Sequence, residues 1–333
     1  MPQKLRKFPV TQKVSPFTLR EMEYCRKSFW SFSKLALCLA AMLFSEPAKG
    51  DDSAAPTVSG SEGTVARFSW EANLETSGIA RSPFEEGKAI GKVETLDTNL
   101  SAVGTYQASA GLNLRFGLAL QRNMFRFPDG TPLPGRLQFF HLTLGTDFQL
   151  GDAWLVRFEA QPGYYGDIAG IRRRDFSCPV ILGTSYFVNA DLQFMAGISY
   201  DPDRRYPVLP GGGFRWKFGS DWVLDAVLPT PRIEYSLSKS LTLYAGADLR
   251  DDTYRVGGDF GRSHGIPRLD NAVVDYTEIR VGGGASWKIN SVVTMDIESG
   301  CVLVDAFDFN RDDIRARSTG TPPYGGISLK AAF

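Results

Sequence analysis

From about residue 64 to the end of the chain, apolar and polar side chains alternate with a period of two. In GLNLRFGLALQRN, Leu112, Leu114, Phe116, Leu118 and Leu120 share one face, and Asn113, Arg115, Gly117, Ala119 and Gln121 share the other. In FFHLTLGTDFQL the apolar set is Phe140, Leu142, Leu144, Phe148 and Leu150, opposite His141, Thr143, Gly145, Asp147 and Gln149. Leu241, Leu243, Ala245, Ala247 and Leu249 oppose Thr242, Tyr244, Gly246, Asp248 and Arg250. Ile279, Val281, Ala285 and Trp287 oppose Glu278, Arg280, Ser286 and Lys288. Successive side chains of an extended chain point to opposite faces, so this period marks half-buried strands. No helical period of any length appears beside it.

The runs predict fourteen antiparallel strands, near residues 64–74, 92–103, 110–125, 137–150, 154–165, 178–188, 192–200, 208–218, 222–228, 232–237, 241–250, 273–289, 293–305 and 324–333. Two kinds of connection alternate between them. Tight ones near 104–109, 151–153, 189–191, 219–221, 238–240 and 290–292 carry the Gly, Asn, Asp and Ser that hairpins need. Long polar ones fall at 75–91, 126–136, 166–177, 201–207, 251–272 and 306–323. The Pro-Thr-Pro at 229–231 is the exception, short where long is expected. Read as a bulge in one strand, it would bring the count to 12 once the weak first strand drops out. Tight turns at one end and extended loops at the other describe an all-β, antiparallel transmembrane barrel, with short periplasmic turns and long extracellular loops.

A soluble sandwich also alternates, but two features favour lipid. Ten-residue runs at ~3.4 Å per residue and ~40° tilt rise about 25 Å, the height of a lipid-facing band. Phe148, Trp154, Phe218, Trp222, Tyr235 and Trp287 sit on the apolar face beside the tight turns, where an aromatic girdle is expected. A sandwich would place such rings in its core. The chain's last residues, YGGISLKAAF, read as the strand that closes the barrel. Ile327, Leu329 and the terminal Phe333 resemble the C-terminal signal by which the bacterial barrel assembly machinery reads its clients.

The first 50 residues differ in kind. Residues 1–34 hold eight basic residues against two acidic ones, followed by the apolar LALCLAAMLF at 35–44 and a small-x-small site at 48–50. That order predicts a secretory signal peptide over 1–50, a flexible periplasmic lead over 51–63 and the barrel over 64–333. Ten apolar residues span only ~15 Å as helix, too short to anchor the chain. Met22 is an alternative start. The location is then the outer membrane of a Gram-negative-type bacterium. The expected partners are its lipid and lipopolysaccharide, with periplasmic chaperones and the assembly machinery during biogenesis. The balance of 37 basic and 37 acidic residues carries no nucleic-acid footprint. Cys178 and Cys301 fall on strands six and thirteen, too far apart across such a barrel for a disulfide.

GDAWLVRFEAQPGYYGD (151–167) and PVLPGGGFRWKFGSDWVLDAVLPTPRIEYSLSKSLTLYAGADLRDDTYRV (207–256) resemble an uncharacterised family of bacterial outer-membrane β-barrels, known only as a domain of unknown function. The similarity runs over roughly 110–290. It implies the same fold and location, and it brings no activity with it.

The polar face is the candidate lumen. It holds Arg115, Arg157, Arg215, Lys217, Arg232, Arg250, Arg280, Lys288 and Lys330, with His141, against Asp147, Glu159, Asp225, Glu234, Asp248, Glu278, Asp296 and Glu298. Opposite charges on neighbouring strands can pair along such a wall. Its balance of signs predicts weak ion selectivity, because strong selectivity needs a ring of one sign. A passive channel or transporter for small solutes is the leading reading. A structural or adhesive barrel acting through its loops is the alternative. The loop 251–272 is the expected constriction. An enzyme is not expected: His141 falls on the lumen face with no nucleophile nearby, and His264 lies in a loop. No catalytic residue, metal or cofactor is implied.

Overall fold

The computed structural model describes residues 68–166, 170–309 and 312–333. The expected signal peptide, periplasmic lead and strand residues 64–67 lie outside these. Fourteen strands follow in chain order: β1 (Phe68–Glu86), β2 (Lys88–Ser109), β3 (Leu112–Arg126), β4 (Arg136–Leu150) and β5, in two pieces (Trp154–Ala160 and Gly163–Tyr165). Next come β6 (Phe176–Ser177 and Val180–Phe187), β7 (Leu192–Tyr200), β8 (Val208–Phe218), β9 (Trp222–Asp225) and β10 (Arg232–Ser236). The last are β11 (Leu241–Arg255), β12 (Val273–Lys288), β13 (Val293–Phe309) and β14 (Ile314–Ser318 and Pro323–Ala332).

Each strand pairs antiparallel with the next, and β14 returns to β1. The wall is a closed all-β barrel, which leaves no sheet edge unpaired. Closure reaches the chain's last residue: Trp70 N–H donates to the Phe333 carbonyl at 3.0 Å, and Phe333 N–H donates to the Trp70 carbonyl at 2.9 Å. β9 and β10 each pair on both sides, so residues 229–231 are a connection and the count is fourteen rather than 12. The end carrying the tight turns and Phe333 is called the lower end here.

Outward positions of the lower wall are large, apolar and exposed: Leu114, Phe116 and Leu118 on β3, Leu142 and Leu144 on β4, Phe194 and Ile198 on β7. A soluble surface does not carry an apolar band of this extent, whereas lipid requires it. Phe148, Trp154, Trp222 and Trp287 stand exposed near the lower turns, and Trp154 packs on Tyr186 at 4.7 Å. Trp222 touches Tyr235 at 4.7 Å and stacks on Phe218 at 6.2 Å. Among the described residues no helix is long and apolar enough to cross a membrane.

Three long loops expected from the sequence are mostly something else. Residues 75–91 are strand: β1 and β2 run on as a tall hairpin that turns at Gly87. Of 306–323, half belongs to β13 and to the first piece of β14, which pair over Ala306–Phe309. Residues 251–255 extend β11, and 256–272 fold into a helical turn (Phe260–Ser263) and a 3-10 turn (Pro267–Leu269).

The tall and short strands divide the barrel into two tiers. β6 to β10 stop low. Above them β5 and β11 meet directly, with Gly166 bridging Arg255 in parallel. A Cβ at residue 166 would lie 2.6 Å from the Arg255 carbonyl oxygen, so only glycine allows this approach. The upper tier is therefore closed by the nine strands β11–β14 and β1–β5, and the lower tier by all fourteen. The connection 201–207 climbs the outside of the upper tier, where Asp203 pairs with Arg255 at 2.7 Å and Arg204 with Asp251 at 3.3 Å. In that connection burial raises the pKa of the Asp201 carboxyl above its ordinary value.

Candidate functional site

Inside the upper tier, inward positions that are polar lower down become apolar. Phe84, Phe125, Phe139, Tyr276, Phe307 and Phe309, from β1, β3, β4, β12 and β13, are buried in one cluster. Phe125 meets Phe307 at 4.8 Å and Tyr276 at 5.1 Å, edge to face. Two connections complete the cluster from above: 127–135 through Leu133, and 256–272 through Val256 and Leu269, the last fully buried. This is a packed core, not a passage.

A charged layer lies directly beneath. Arg280 and Glu278 are fully buried and Asp97 nearly so. The Arg280 guanidinium donates to both carboxylates and, at 2.7 Å, to Ser77 Oγ. It also lies over the Tyr324 ring, 5.1 Å from its centre. Tyr276 Oη donates to Glu278 at 2.9 Å. Gln121 and Asn123 donate to Tyr254 Oη at 3.3 and 3.2 Å. Asp97 and Asp305 each keep one carboxylate oxygen with no hydrogen-bond partner among the described residues. Polar groups this dry survive only by pairing with one another, which is why they knit the cross-section shut.

Below that layer the lower tier holds a cavity of about 270 Å³, lined by Glu75, Arg232, Tyr244, Asp248, Arg250, Asp296, Glu298, Tyr324, Ser328 and Lys330 among others. Most of its charges are paired. Arg250 reaches Glu75 at 2.6 Å and Asp248 at 2.7 Å. Lys330 reaches Asp296 at 2.6 Å, and Arg232 reaches Glu234 at 2.6 Å while lying over the Tyr244 ring. The glycines of VGGGAS make room here. A Cβ at residue 284 would lie 2.6 Å from Tyr244 Oη, and one at 282 would lie 2.9 Å from Tyr324 Oη. The wall at these points is bare backbone against which the rings lie.

The other residues expected in the lumen fall into smaller groups. Arg115 pairs with Glu159 and Arg157 with Asp147, both at 2.7 Å, while Arg215 stands 3.9 Å from Asp225. Lys217 and Lys288 are exposed near the lower rim. His141 is buried, its ring parallel to Tyr165 and its Nδ1 3.1 Å from the Leu142 carbonyl. His264 Nδ1 lies 2.7 Å from the Phe260 carbonyl and 3.1 Å from Ser263 Oγ. A carbonyl only accepts, so Nδ1 carries the proton and cannot take one from Ser263. Asp251 accepts from Thr277 and Asp252 from Gln121. Cys178 and Cys301 are both free.

Glu75, Ser77, Asp97, Asp305 and Tyr324 are absent from the expected lumen face, and Tyr244 stands on that face without being expected at the site. Glu75 and Ser77 lie beyond residue 74, where the expected first strand ends and the observed one continues to Glu86. Asp97 carried a usable signal: it alternates between Leu96 and Thr98 in a strand already drawn over 92–103.

No family model matches the chain, and no curated protein matches it either. Among solved structures it is similar to an outer membrane channel from Pseudomonas putida F1, at 14% identity over 86% of this chain and 100% of that one, TM-score 0.42. It is similar to the Pseudomonas putida toluene transporter TodX at 10% identity, 79% and 89% coverage and TM-score 0.36. It is also similar to the translocator domain of the autotransporter NalP from Neisseria meningitidis at 11% identity, 79% and 88% coverage and TM-score 0.33. Likenesses this distant carry no argument about what this barrel does.

Proposed function

We propose that the chain is an outer-membrane channel for small solutes, held closed by its upper tier. The observation that supports this is the division of the lumen: a charged cavity below, a dry apolar core above. A barrel that served only as scaffold would gain by filling its interior, since empty space forfeits dispersion contacts. Seven ionisable side chains around a cavity that no side chain fills give up that gain and keep a place for solute and water. The closure above depends in part on two connections, 127–135 and 256–272, and connections move more readily than a hydrogen-bonded wall. The exposed apolar band and the aromatic residues below it support location in the outer membrane. Assembly through the terminal strand accords with the pairing of Phe333 to Trp70.

Planar-bilayer recording on the purified full chain tests the proposal. The intact protein is expected to pass little current, and removal of 258–268 to raise conductance with weak ion selectivity. Silence before and after that deletion would favour the second reading, a structural barrel acting through its upper surface. That reading draws its own support from the Arg280 layer, which fills the cross-section.

A further inference from the structure

Among the four carboxylates that line the lower cavity, three already have cationic partners: Glu75 and Asp248 share Arg250, and Asp296 holds Lys330. The fourth is Glu298. It makes no hydrogen bond or ion pair with the described residues, and its Oε1 faces the wall over Gly326, where an added Cβ would stand 3.3 Å away. It is half-buried on β13, with Gly326 of β14 between it and Ser77 of β1, and with Arg280 sealed above it in its own pairs. The three cations of the cavity are all engaged: Arg250 and Lys330 as above, and Arg232 with Glu234.

We infer that this cavity is a binding site for small organic cations, with Glu298 as the residue that takes the ammonium group. The asymmetry decides the sign of the ligand. An incoming ammonium meets a carboxylate that has no partner to give up, and forms a charge-assisted hydrogen bond in a cavity of reduced dielectric. An incoming carboxylate finds each cation occupied, and must leave a part-buried acid unpaired to gain one. Size sets the class: about 270 Å³ admits a small aliphatic amine and excludes a folded peptide. Tyr244 and Tyr324, which lie against the glycine-bare wall with Arg232 and Arg280 over their rings, bring aromatic carbon to the cavity lining beside the charges. The inference names a substrate class for the proposed channel, but binding itself requires no passage.

The test is calorimetric titration of the full chain in detergent with n-butylammonium and, separately, with n-butyrate, its anionic counterpart. Butylammonium is expected to bind and butyrate not to bind. Glu298→Gln keeps the shape and removes the charge, and should weaken butylammonium about tenfold, the loss of one charged hydrogen bond. Glu159→Gln, outside the cavity, should leave the affinity unchanged. Retained folding of each variant is read from the shift in gel mobility on heating. Equal affinity in wild type and Glu298→Gln, or butyrate binding as tightly as butylammonium, overturns the site. A conducting barrel that fails to bind butylammonium sinks this inference alone. A silent barrel that binds it sinks the channel and leaves the site.

Discussion

The two tiers are made by the same strands under the same alternation, yet their interiors are opposites. β1, β11, β12 and β13 each pass from one to the other. Along β12 the inward residues change from Gly284 and Gly282 at the cavity, through Arg280 and Glu278, to Tyr276 and Val274 in the apolar core. What differs is the circumference. Fourteen strands enclose more width than side chains can fill, so the lower interior stays wet and tolerates charge. Nine strands enclose a width that side chains do fill, and a filled interior without water favours apolar groups. Among the described residues the fully buried charged side chains, Arg280 and Glu278, lie at the seam between the two. Tier width, rather than strand character, decides whether this lumen is open.

The seam is where the comparison breaks most easily. Arg280→Ala strands Glu278 and Asp97 in a site without water, and should cost about 3–5 kcal/mol. Urea unfolding of the protein in lipid vesicles measures it. A loss below about 1 kcal/mol would mean that water reaches the layer, and that the tiers are one continuous lumen. Next is Leu269, which tests the upper tier. Leu269→Ala removes a fully buried side chain supplied by a connection, and should cost about 2–5 kcal/mol. Because the same side chain helps to close the top, the variant should also conduct more than wild type. Destabilisation without added current would show that the wall alone seals the barrel.

How the sequence foretold this is uneven, and the reasons are physical. Lower strands were legible because lipid on one side and a polar lumen on the other impose opposite demands on alternate residues. The Leu112–Leu120 and Phe140–Leu150 sets show it cleanly. That contrast vanishes above the membrane. Around 75–91, outward residues such as Arg81 and Glu85 face water while inward Ser82 and Phe84 are mixed, so neither face is uniform. A register shift between Ile79 and Ser82 further interrupts the period of two. Strand there reads as loop. The apolar residues Val256, Ile266 and Leu269 in an otherwise polar connection were the available sign that it packs inward. The charged pairs were half legible: alternation put Arg250, Asp248, Arg280 and Glu278 on one face, but only the register across strands brings in Glu75 and Asp97.

The lower tier can be tested through the glycines that hold its space open. Gly284→Ala forces a methyl group against Tyr244 and the Ile297 backbone, and should cost about 1–3 kcal/mol through overpacking. Gly211→Ala is the control, since nothing lies within 4 Å of its added Cβ, and should stay within about 0.5 kcal/mol of wild type. Equal effects at the two positions would mean that the rings move freely and that the cavity has no fixed shape.

The smallest effect is expected outside, at an ion pair of the same chemistry as the seam. Arg81 on β1 lies 3.3 Å from Glu94 on β2, with side chains 59% and 36% exposed, and Arg126 stands 3.8 Å from the same carboxylate. Removing Arg280 leaves dry acids behind, but removing Arg81 returns Glu94 to water and to Arg126. The pair's own attraction is weakened by solvent and further screened at physiological salt, where the Debye length is about 8 Å. Arg81→Gln should therefore change unfolding free energy by no more than about 0.5 kcal/mol, and less still in 1 M salt. The result also locates a boundary. A loss above about 1 kcal/mol that salt does not diminish would mean that this face sits in a medium of low dielectric. The lipid band would then reach up to the β1–β2 hairpin, and the upper tier would lie within the membrane instead of above it.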